Sequence, residues 1–185
     1  MNFSELFGNA QWVTCDSGCT SPVIKGGFFI EEPKKAEITI CGLGFFRLWI
    51  NGREVSKDKF VPVNSQYCKR DLTAFEYPIL DELSYRTYAV RYDISKFIVD
   101  GKNDLRVILG CGWFAQQKRS AEGFAKYGDI KLCYKIDVEN KSGKKYTFVS
   151  DESLEWKQSR ITENNIYFGE VHDMSLADEL TANSG

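Results

Sequence analysis

The feature that most constrains the fold is a set of short runs in which every second residue is apolar. In residues 129–140, the apolar positions of this pattern are Ile130, Leu132, Tyr134, Ile136 and Val138. A β-strand points successive side chains to opposite faces, so a period of two predicts half-buried strands. Further strand-like runs lie at 36–41, 45–50, 86–94, 104–110, 153–159 and 165–174, and residues 141–151 look like a turn followed by a strand.

The order of these runs decides the fold class. No helix of crossover length separates consecutive strands, so a doubly wound parallel sheet is not expected. Many short strands with turn residues between them favour an all-β fold, an antiparallel jelly-roll-like β-sandwich with one or two short helical turns. We expect the helical turns at 93–99, with Asp93 or Ser95 as the cap, and within 113–128. Residues 68–85 show no clean period and are predicted to be a long excursion between strands.

The strongest local turn signals lie in residues 42–55, with the sequence GLGFFRLWINGREV. Gly42 and Gly44 indicate a bend or a bulge in the strand. Asn51-Gly52 predicts a type I′ hairpin turn, because both central residues of that turn need positive φ.

The strand between these turn signals has two apolar faces. One face is predicted to be core, and it consists of Phe46, Leu48 and Ile50. The other consists of Phe45, Arg47 and Trp49. If the first face fills a sandwich, the second must contact something other than bulk water, and Trp and Arg are favoured at binding surfaces.

Charge and hydropathy limit the partners. The chain has 24 basic and 26 acidic side chains and a net charge of −2, which argues against a nucleic-acid or anionic-membrane partner. No apolar run approaches the roughly 20 residues of a membrane span. The first residues, MNFSELFGNAQWV, lack the basic and apolar regions of a secretory signal, so we expect a cytoplasmic protein.

The cysteines give no sign of a metal centre. There are six cysteines and one histidine, His172, without a CxxC pair, whereas a structural zinc site needs four clustered ligands. Cys41 and Cys133 lie in strand-like runs and are interpreted as small buried apolar residues. Free thiols fit a reducing compartment, and we expect no cofactor.

A catalytic site is difficult to build from this sequence. Any triad would have to use His172, which is interpreted as a strand or edge residue. Four pairs of nearby carboxylates occur: Glu31/Glu32, Asp81/Glu82, Asp151/Glu152 and Glu170/Asp173. The first three lie in polar turn contexts, where solvated charge is the default. Glu170 and Asp173 are three residues apart on a strand and would point to opposite faces, so we expect no catalytic residue.

Two groups of residues fit a carbohydrate. A sugar ring has an apolar face and a rim of hydroxyls, so its sites combine a flat aromatic ring with polar side chains. The first group is Trp49 with Arg47 and Asn51, and the second is Trp113 with Phe114, Gln116 and Gln117. For both tryptophans, packing against a second sheet or a neighbouring domain is the alternative interpretation.

Three stretches, in this order, resemble the N-terminal non-catalytic domain of bacterial α-L-rhamnosidases: GLGFFRLWINGREVSKDKFVPVNSQY, RTYAVRYDISKFIVDGKNDLRVILGCGWF and IYFGEVHD. The resemblance spans about residues 36–176. The residues that match its pattern are Asn51 and Gly52 (an Asn-Gly turn), Asp93 (a Tyr-Asp turn), Gly110, Gly112 and Trp113 (Gly-x-Gly-Trp), and Glu170 and Asp173 (a late Gly-Glu-x-Tyr-Asp). The departures are Cys111 for an Asp or Asn, His172 for a Tyr, Ser175 near an expected Arg, and the inserted 68–85.

The resemblance implies a jelly-roll sandwich attached to a large (α/α) barrel that hydrolyses terminal α-L-rhamnosyl residues with inversion. The present chain would be an accessory part of such a glycoside hydrolase. Some similar modules bind rhamnose through calcium, but Cys111 stands where an oxygen ligand would be favoured. The candidate carbohydrate-binding or domain-interface residues are therefore Arg47, Trp49, Asn51, Trp113, Phe114, Glu170 and Asp173, with no metal ligand among them.

The expected organisation has three parts: an N-terminal extension with the first strands at 1–35, the sandwich at 36–176, and a polar tail or the start of a linker at 177–185. Three functions stay open. The chain is an accessory domain on a rhamnosidase barrel, an autonomous module that binds a rhamnose-containing glycan, or a structural sandwich that dimerises through its exposed aromatic face.

Overall fold

The computed structural model describes residues 2–16, 18–69, 84–116 and 126–180. In these residues it contains one helix, α1 (Phe3–Phe7), and eleven strands. The strands are β1 (Pro22–Ile30), β2 (Pro33–Leu43), β3 (Phe45–Ile50), β4 (Arg53–Glu54), β5 (Val90–Asp93), β6 (Gly101–Gly110), β7 (Lys131–Asn140), β8 (Lys145–Val149), β9 (Glu155–Gln158), β10 (Ile161–Asn165) and β11 (Gly169–His172).

The strands build two large sheets and a separate hairpin. The five-stranded sheet has the order β4-β3-β6-β1-β9, and the four-stranded sheet has the order β5-β2-β7-β8. Strands β10 and β11 pair only with each other among the described residues. The pairings between these strands are antiparallel. The all-β antiparallel fold class predicted from the sequence is therefore confirmed.

The hydrophobic core fills the space between the two large sheets. Four alternating residues of β7 line it together with Ile130, which lies directly before the strand, and all five have exposed fractions of 0–4%. From the other sheet come Phe46, Leu48 and Ile50, each at most 5% exposed, so the predicted core face of β3 is confirmed. The rings of Phe28 on β1 and Phe148 on β8 lie 4.7 Å apart and join the two sheets.

The chain crosses from one sheet to the other at Gly44, between β2 and β3. Gly44 has φ +114°, a backbone conformation that side chains with a Cβ rarely adopt, which confirms the predicted bend. The Asn51-Gly52 turn joins β3 to β4 with φ values of 50° and 71°, as a type I′ turn requires.

The helical segment lies elsewhere than expected. Residues after Asp93 form a hydrogen-bonded turn, in which Phe97 N donates to Ile94 O at 2.9 Å, and Asp93 Oδ1 caps it by accepting from Ser95 N at 2.9 Å. The described helix is instead α1, which begins with a capping box of Asn2 and Glu5. An Asn followed three residues later by a Glu is a helix-start signal that can be read from the sequence.

Helix α1 and the segment after it cover the outer side of the four-stranded sheet. Phe7 and Ala10 pack there against Cys41 and Cys133, which are 1% and 0% exposed. The interpretation of these two cysteines as buried apolar residues is confirmed. Burial raises the pKa of both thiols to about 11, so they stay protonated at neutral pH.

Some segment boundaries expected from the sequence fall inside strands or turns of the structure. The boundary between residues 35 and 36 falls inside β2, and β1 lies between β6 and the edge strand β9 of the five-stranded sheet. The run at 165–174 is not one strand, because a turn separates β10 from β11. Most of the excursion at 68–85, the centre of 113–128 and the last part of 177–185 lie outside the described residues.

Candidate binding and interface site

The outer face of the five-stranded sheet carries the residues that the sequence singled out on β3. The guanidinium carbon of Arg47 lies 5.0 Å from the Trp49 ring centroid, a cation–π distance. Arg47 Nε also donates to Glu54 Oε1 on β4 at 2.8 Å. Arg47 is exposed and Trp49 is half-buried, so part of this face is satisfied by contacts within itself.

Phe45, the third residue of that face, belongs to one of two aromatic ring pairs near this surface. Its ring lies 5.5 Å from that of Phe60, which is 65% exposed. On its other side is Gly112, where an added Cβ would sit 3.0 Å from Phe45 N. The next residue, Trp113, contacts the ring of Tyr167 edge to face at 5.8 Å. The two ring pairs, Phe45 with Phe60 and Trp113 with Tyr167, are here called the aromatic row.

Asn51 has a different place from the one expected for a sugar ligand. Its Nδ2 donates to Phe97 O at 2.9 Å and to Asn103 Oδ1 at 2.8 Å, and its Oδ1 accepts from Asp104 N at 2.9 Å. All of its side-chain polar atoms are thus used inside the fold. We interpret Asn51 as a residue that fixes two neighbouring turns.

The group around Trp113 is divided by the structure. Phe114 is 8% exposed and stands edge-on to Tyr67 at 5.1 Å, so its expected role at a surface site is corrected to a core role. Gln116 is also buried, and Gln117 lies outside the described residues. Of the described residues in this group, only Trp113 is half-exposed, and it belongs to the aromatic row.

The two late carboxylates and the histidine lie on or beside β11. Glu170 Oε2 is 2.9 Å from His172 Nε2. Asp173 Oδ1 accepts from Ser175 N at 2.9 Å and from Ser175 Oγ at 2.6 Å. These hydrogen bonds from Ser175 lower the pKa of Asp173 below its usual value. Each carboxylate therefore has its own local partner, and both are exposed.

A cleft of about 470 Å³, here called the outer cleft, opens on the outer face of the five-stranded sheet. Phe45, Arg47 and Ile108 line it from β3 and β6. Its other walls are the loop 58–60, the β10–β11 hairpin, and residues 174–180. Among the candidate residues, Arg47 and Glu170 line the outer cleft, whereas Trp49, Asn51, Trp113, Phe114 and Asp173 lie outside its lining.

The outer cleft mixes apolar and charged side chains. Phe60 and Met174, which are 65% and 70% exposed, provide its most accessible apolar surface. The charged lining residues are Arg47, Lys59 and Arg160 against Asp58, Glu170, Asp178 and Glu179. This near balance of charge suits a neutral partner rather than an ion. Sequence reasoning missed Phe60, Arg160 and Met174, because each lies in a loop or at a strand end without a period.

Two further observations concern metals and membranes. Within the described ranges, no three Cys, His, Asp or Glu side chains come together as a set that could hold a metal ion. Helix α1, the one helix in these ranges, is not long and apolar enough to span a membrane.

Fold and cleft together define a β-sandwich domain with a cleft on the outer face of its five-stranded sheet. Residues 31–180 match the family model of the α-L-rhamnosidase N-terminal domain, and the chain belongs to that family. Over 162 residues it is 31% identical to an α-L-rhamnosidase of Formosa agariphila. That alignment covers 83% of this chain but 15% of the relative, so the chain spans a small part of that protein's length.

Solved structures agree with the family assignment. An α-L-rhamnosidase from Dictyoglumus thermophilum matches with a TM-score of 0.69 and 27% identity, over 90% of this chain and 18% of that one. An α-L-rhamnosidase from Aspergillus terreus matches with a TM-score of 0.75 and 21% identity, over 93% of this chain and 19% of that one. The second likeness shows that the fold is shared.

Proposed function

We propose that the chain is a non-catalytic accessory domain of an α-L-rhamnosidase, and that hydrolysis of terminal α-L-rhamnosyl residues belongs to a catalytic barrel elsewhere in such an enzyme. The observation that carries the proposal is the family match over residues 31–180. The 162-residue alignment with the Formosa agariphila enzyme, which covers only 15% of that relative, leaves room there for a catalytic part. In this arrangement the outer cleft and the aromatic row contact the barrel or shape access to it.

The chemistry of the late carboxylates supports a non-catalytic role. Glycoside hydrolysis by inversion needs one carboxylic acid with a raised pKa and one carboxylate as a base, held on opposite sides of the sugar. Asp173 has a lowered pKa, so it is ionised when a proton would have to be donated. Glu170 is engaged by its neighbour His172 rather than by a second carboxylate. A cytoplasmic setting is part of this proposal, since Cys41, Cys111 and Cys133 are kept as buried thiols.

The first test is an assay of the 185-residue chain with 4-nitrophenyl α-L-rhamnopyranoside. We expect no release of nitrophenol above the buffer rate, because the chain lacks a working acid and base pair at Glu170 and Asp173. The full-length Dictyoglumus enzyme serves as the positive control. Turnover by the chain that is lost in Glu170→Gln would make the chain itself an enzyme and would contradict the proposal.

A second candidate function is the binding of a neutral sugar unit, favoured by the aromatic and polar lining of the outer cleft. Titration of the chain with methyl α-L-rhamnopyranoside, with and without calcium, is expected to give a Kd in the millimolar range. This corresponds to a binding free energy of about −4 kcal/mol. Phe60→Ala is expected to weaken that binding about tenfold, since an exposed ring stacks on the apolar face of a sugar.

The matched control is Phe29→Ala. Phe29 is 62% exposed, close to the 65% of Phe60, and lies on β1 of the five-stranded sheet, but it does not line the outer cleft. Two results would contradict sugar binding at the outer cleft: an equal loss of affinity in both variants, or no heat of binding at ~10 mM sugar, which is well above a millimolar Kd. The accessory role would then stand without sugar binding. A dimeric mass in light scattering would favour self-association through this face instead.

A further inference from the structure

The outer face of the five-stranded sheet also carries a stripe of basic side chains next to the outer cleft. Lys25 on β1 pairs in register with Arg106 on β6, and Lys157 on β9 pairs with Val23, two residues before Lys25. Because residues two apart on a strand share a face, the three basic side chains lie on one side. The basic stripe is defined here as Lys25, Arg106 and Lys157.

An acidic segment of the same chain lies over the basic stripe. This segment, called the strap, is residues 174–180 with the sequence MSLADEL, which contains two acidic and no basic residues. The Glu179 carboxylate forms an ion pair with Lys25 and lies 3.8 Å from Lys157 Nζ. Only 11% of the Glu179 side chain is exposed.

Arg106 holds the main chain of the strap. Its terminal nitrogen donates to Glu179 O at 3.0 Å and to Leu180 O at 3.2 Å, while its Nε donates to Asp104 Oδ2 at 2.9 Å. The Arg106 side chain is 7% exposed, so these are hydrogen bonds from a charged and nearly buried donor. Hydrogen bonds of this kind are worth more than those between neutral groups.

A second anchor lies at the other end of the strap. Arg160 Nε donates to Leu176 O at 2.8 Å, and its guanidinium lies 3.7 Å from Asp178 Oδ2. By contrast, the apolar residues of the strap are poorly buried: Met174 is 70% exposed, and Leu176 and Leu180 are only half-buried. The strap is therefore held mainly by charge and hydrogen bonds.

We propose that the strap is an electrostatic latch, in which the basic stripe receives the acidic residues 174–180 and Glu179 is the residue that locks them. Since the strap also forms one wall of the outer cleft, a locked strap fixes the shape of that site. Loss of the lock frees the strap as a unit and leaves the sandwich folded, because the core between the sheets contains none of its residues.

The charges around Glu179 explain why one carboxylate has this effect. The groove beside the basic stripe is lined by Lys25, Lys102, Arg106 and Lys157 and by Asp104, Glu155 and Glu179. Neutralising Glu179 leaves four cations facing two carboxylates. The partly buried Lys25, with 23% of its side chain exposed, then has lost its partner, which is unfavourable.

The test compares backbone order parameters from ¹⁵N NMR relaxation in the chain and in Glu179→Gln. In the unaltered chain, the strap is expected to be as rigid as the strands, with order parameters of about 0.85. In Glu179→Gln they are expected to fall below about 0.6 at 176–180, with those of β6 unchanged. Glu155→Gln, which removes a carboxylate of the same groove, is the matched control and is expected to leave the strap rigid.

A second variant tests the main-chain contacts. Arg106→Met keeps the apolar stem but removes both donors to the strap carbonyls, and it is expected to give the same loss of order. A strap that is already flexible in the unaltered chain, or one that stays rigid in Glu179→Gln, would overturn the latch. These readouts involve no sugar and no turnover, so they are independent of the proposed enzyme role.

Discussion

Gly44→Ala is expected to destabilise the domain by at least about 3 kcal/mol, a large fraction of the 5–15 kcal/mol that holds a typical domain together. An alanine Cβ at this position would sit 2.2 Å from Gly110 O, a main-chain atom of β6 that has no freedom to rotate away. The positive φ of +114° adds conformational strain to this overlap. Urea denaturation followed by tryptophan fluorescence measures the loss.

The control for Gly44→Ala is Gly143→Ala. Gly143 also has a positive φ, +83°, but no atom lies within 4 Å of the added Cβ. It is expected to cost only about 1–2 kcal/mol, the conformational part of the effect. If the two variants lost equal stability, the close approach at the corner between the sheets would carry no energetic weight.

The second large effect is expected for Asn103→Ala, at about 3–4 kcal/mol. The Asn103 side chain is fully buried and donates to Val99 O at 2.9 Å and to Gly101 O at 3.1 Å. Its Oδ1 accepts from Val99 N at 2.9 Å and from Asn51 Nδ2 at 2.8 Å. Truncation leaves these groups without partners in the interior, and a buried unpaired polar group costs free energy.

A double-mutant cycle with Asn51→Ala separates this network from the general cost of truncation. The two amides contact each other directly, so we expect a coupling energy of about 1–2 kcal/mol from denaturation midpoints. Additive losses would mean that each asparagine acts alone. A change in sugar titration for Asn51→Ala with unchanged stability would instead restore Asn51 as a ligand residue.

Strands were predictable where one side of the strand faces the core and the other side does not. On β7, alternate side chains enter the core while their neighbours lie on the other face of the sheet, so the period of two is visible in the sequence. The β10–β11 hairpin was harder, because its turn is made by the Asn165 side chain. Asn165 Oδ1 accepts from Tyr167 N at 2.8 Å and from Phe168 N at 3.2 Å. No glycine pair marks that turn, and the apolar run through it was interpreted as one strand.

The candidate site was only partly predictable. Arg47 was found because it interrupts an apolar run, and Glu170 because it follows an aromatic strand. The outer cleft itself needs five segments between residues 45 and 180, whose approach depends on the order of strands in the sheet. Cross-strand pairs such as Lys25 with Arg106 depend on register, which a single sequence does not reveal. Conversely, the structure gives a local reason for Asn51 in the Asn-Gly turn of the family pattern, because Asn51 Nδ2 donates a hydrogen bond to Asn103 Oδ1.

The place of β1 between β6 and β9 bears on how such domains are cut and joined. The recognisable family pattern starts at residue 31, just after that strand ends at Ile30. A fragment trimmed to the pattern would lose the strand that joins β9 to the rest of the larger sheet. It would also expose the amide and carbonyl groups of β6 and β9 that pair with β1, and such open edges attract strands from other molecules. The smallest unit that can fold with its larger sheet intact therefore includes β1, and it is longer than the stretch that matches the family model.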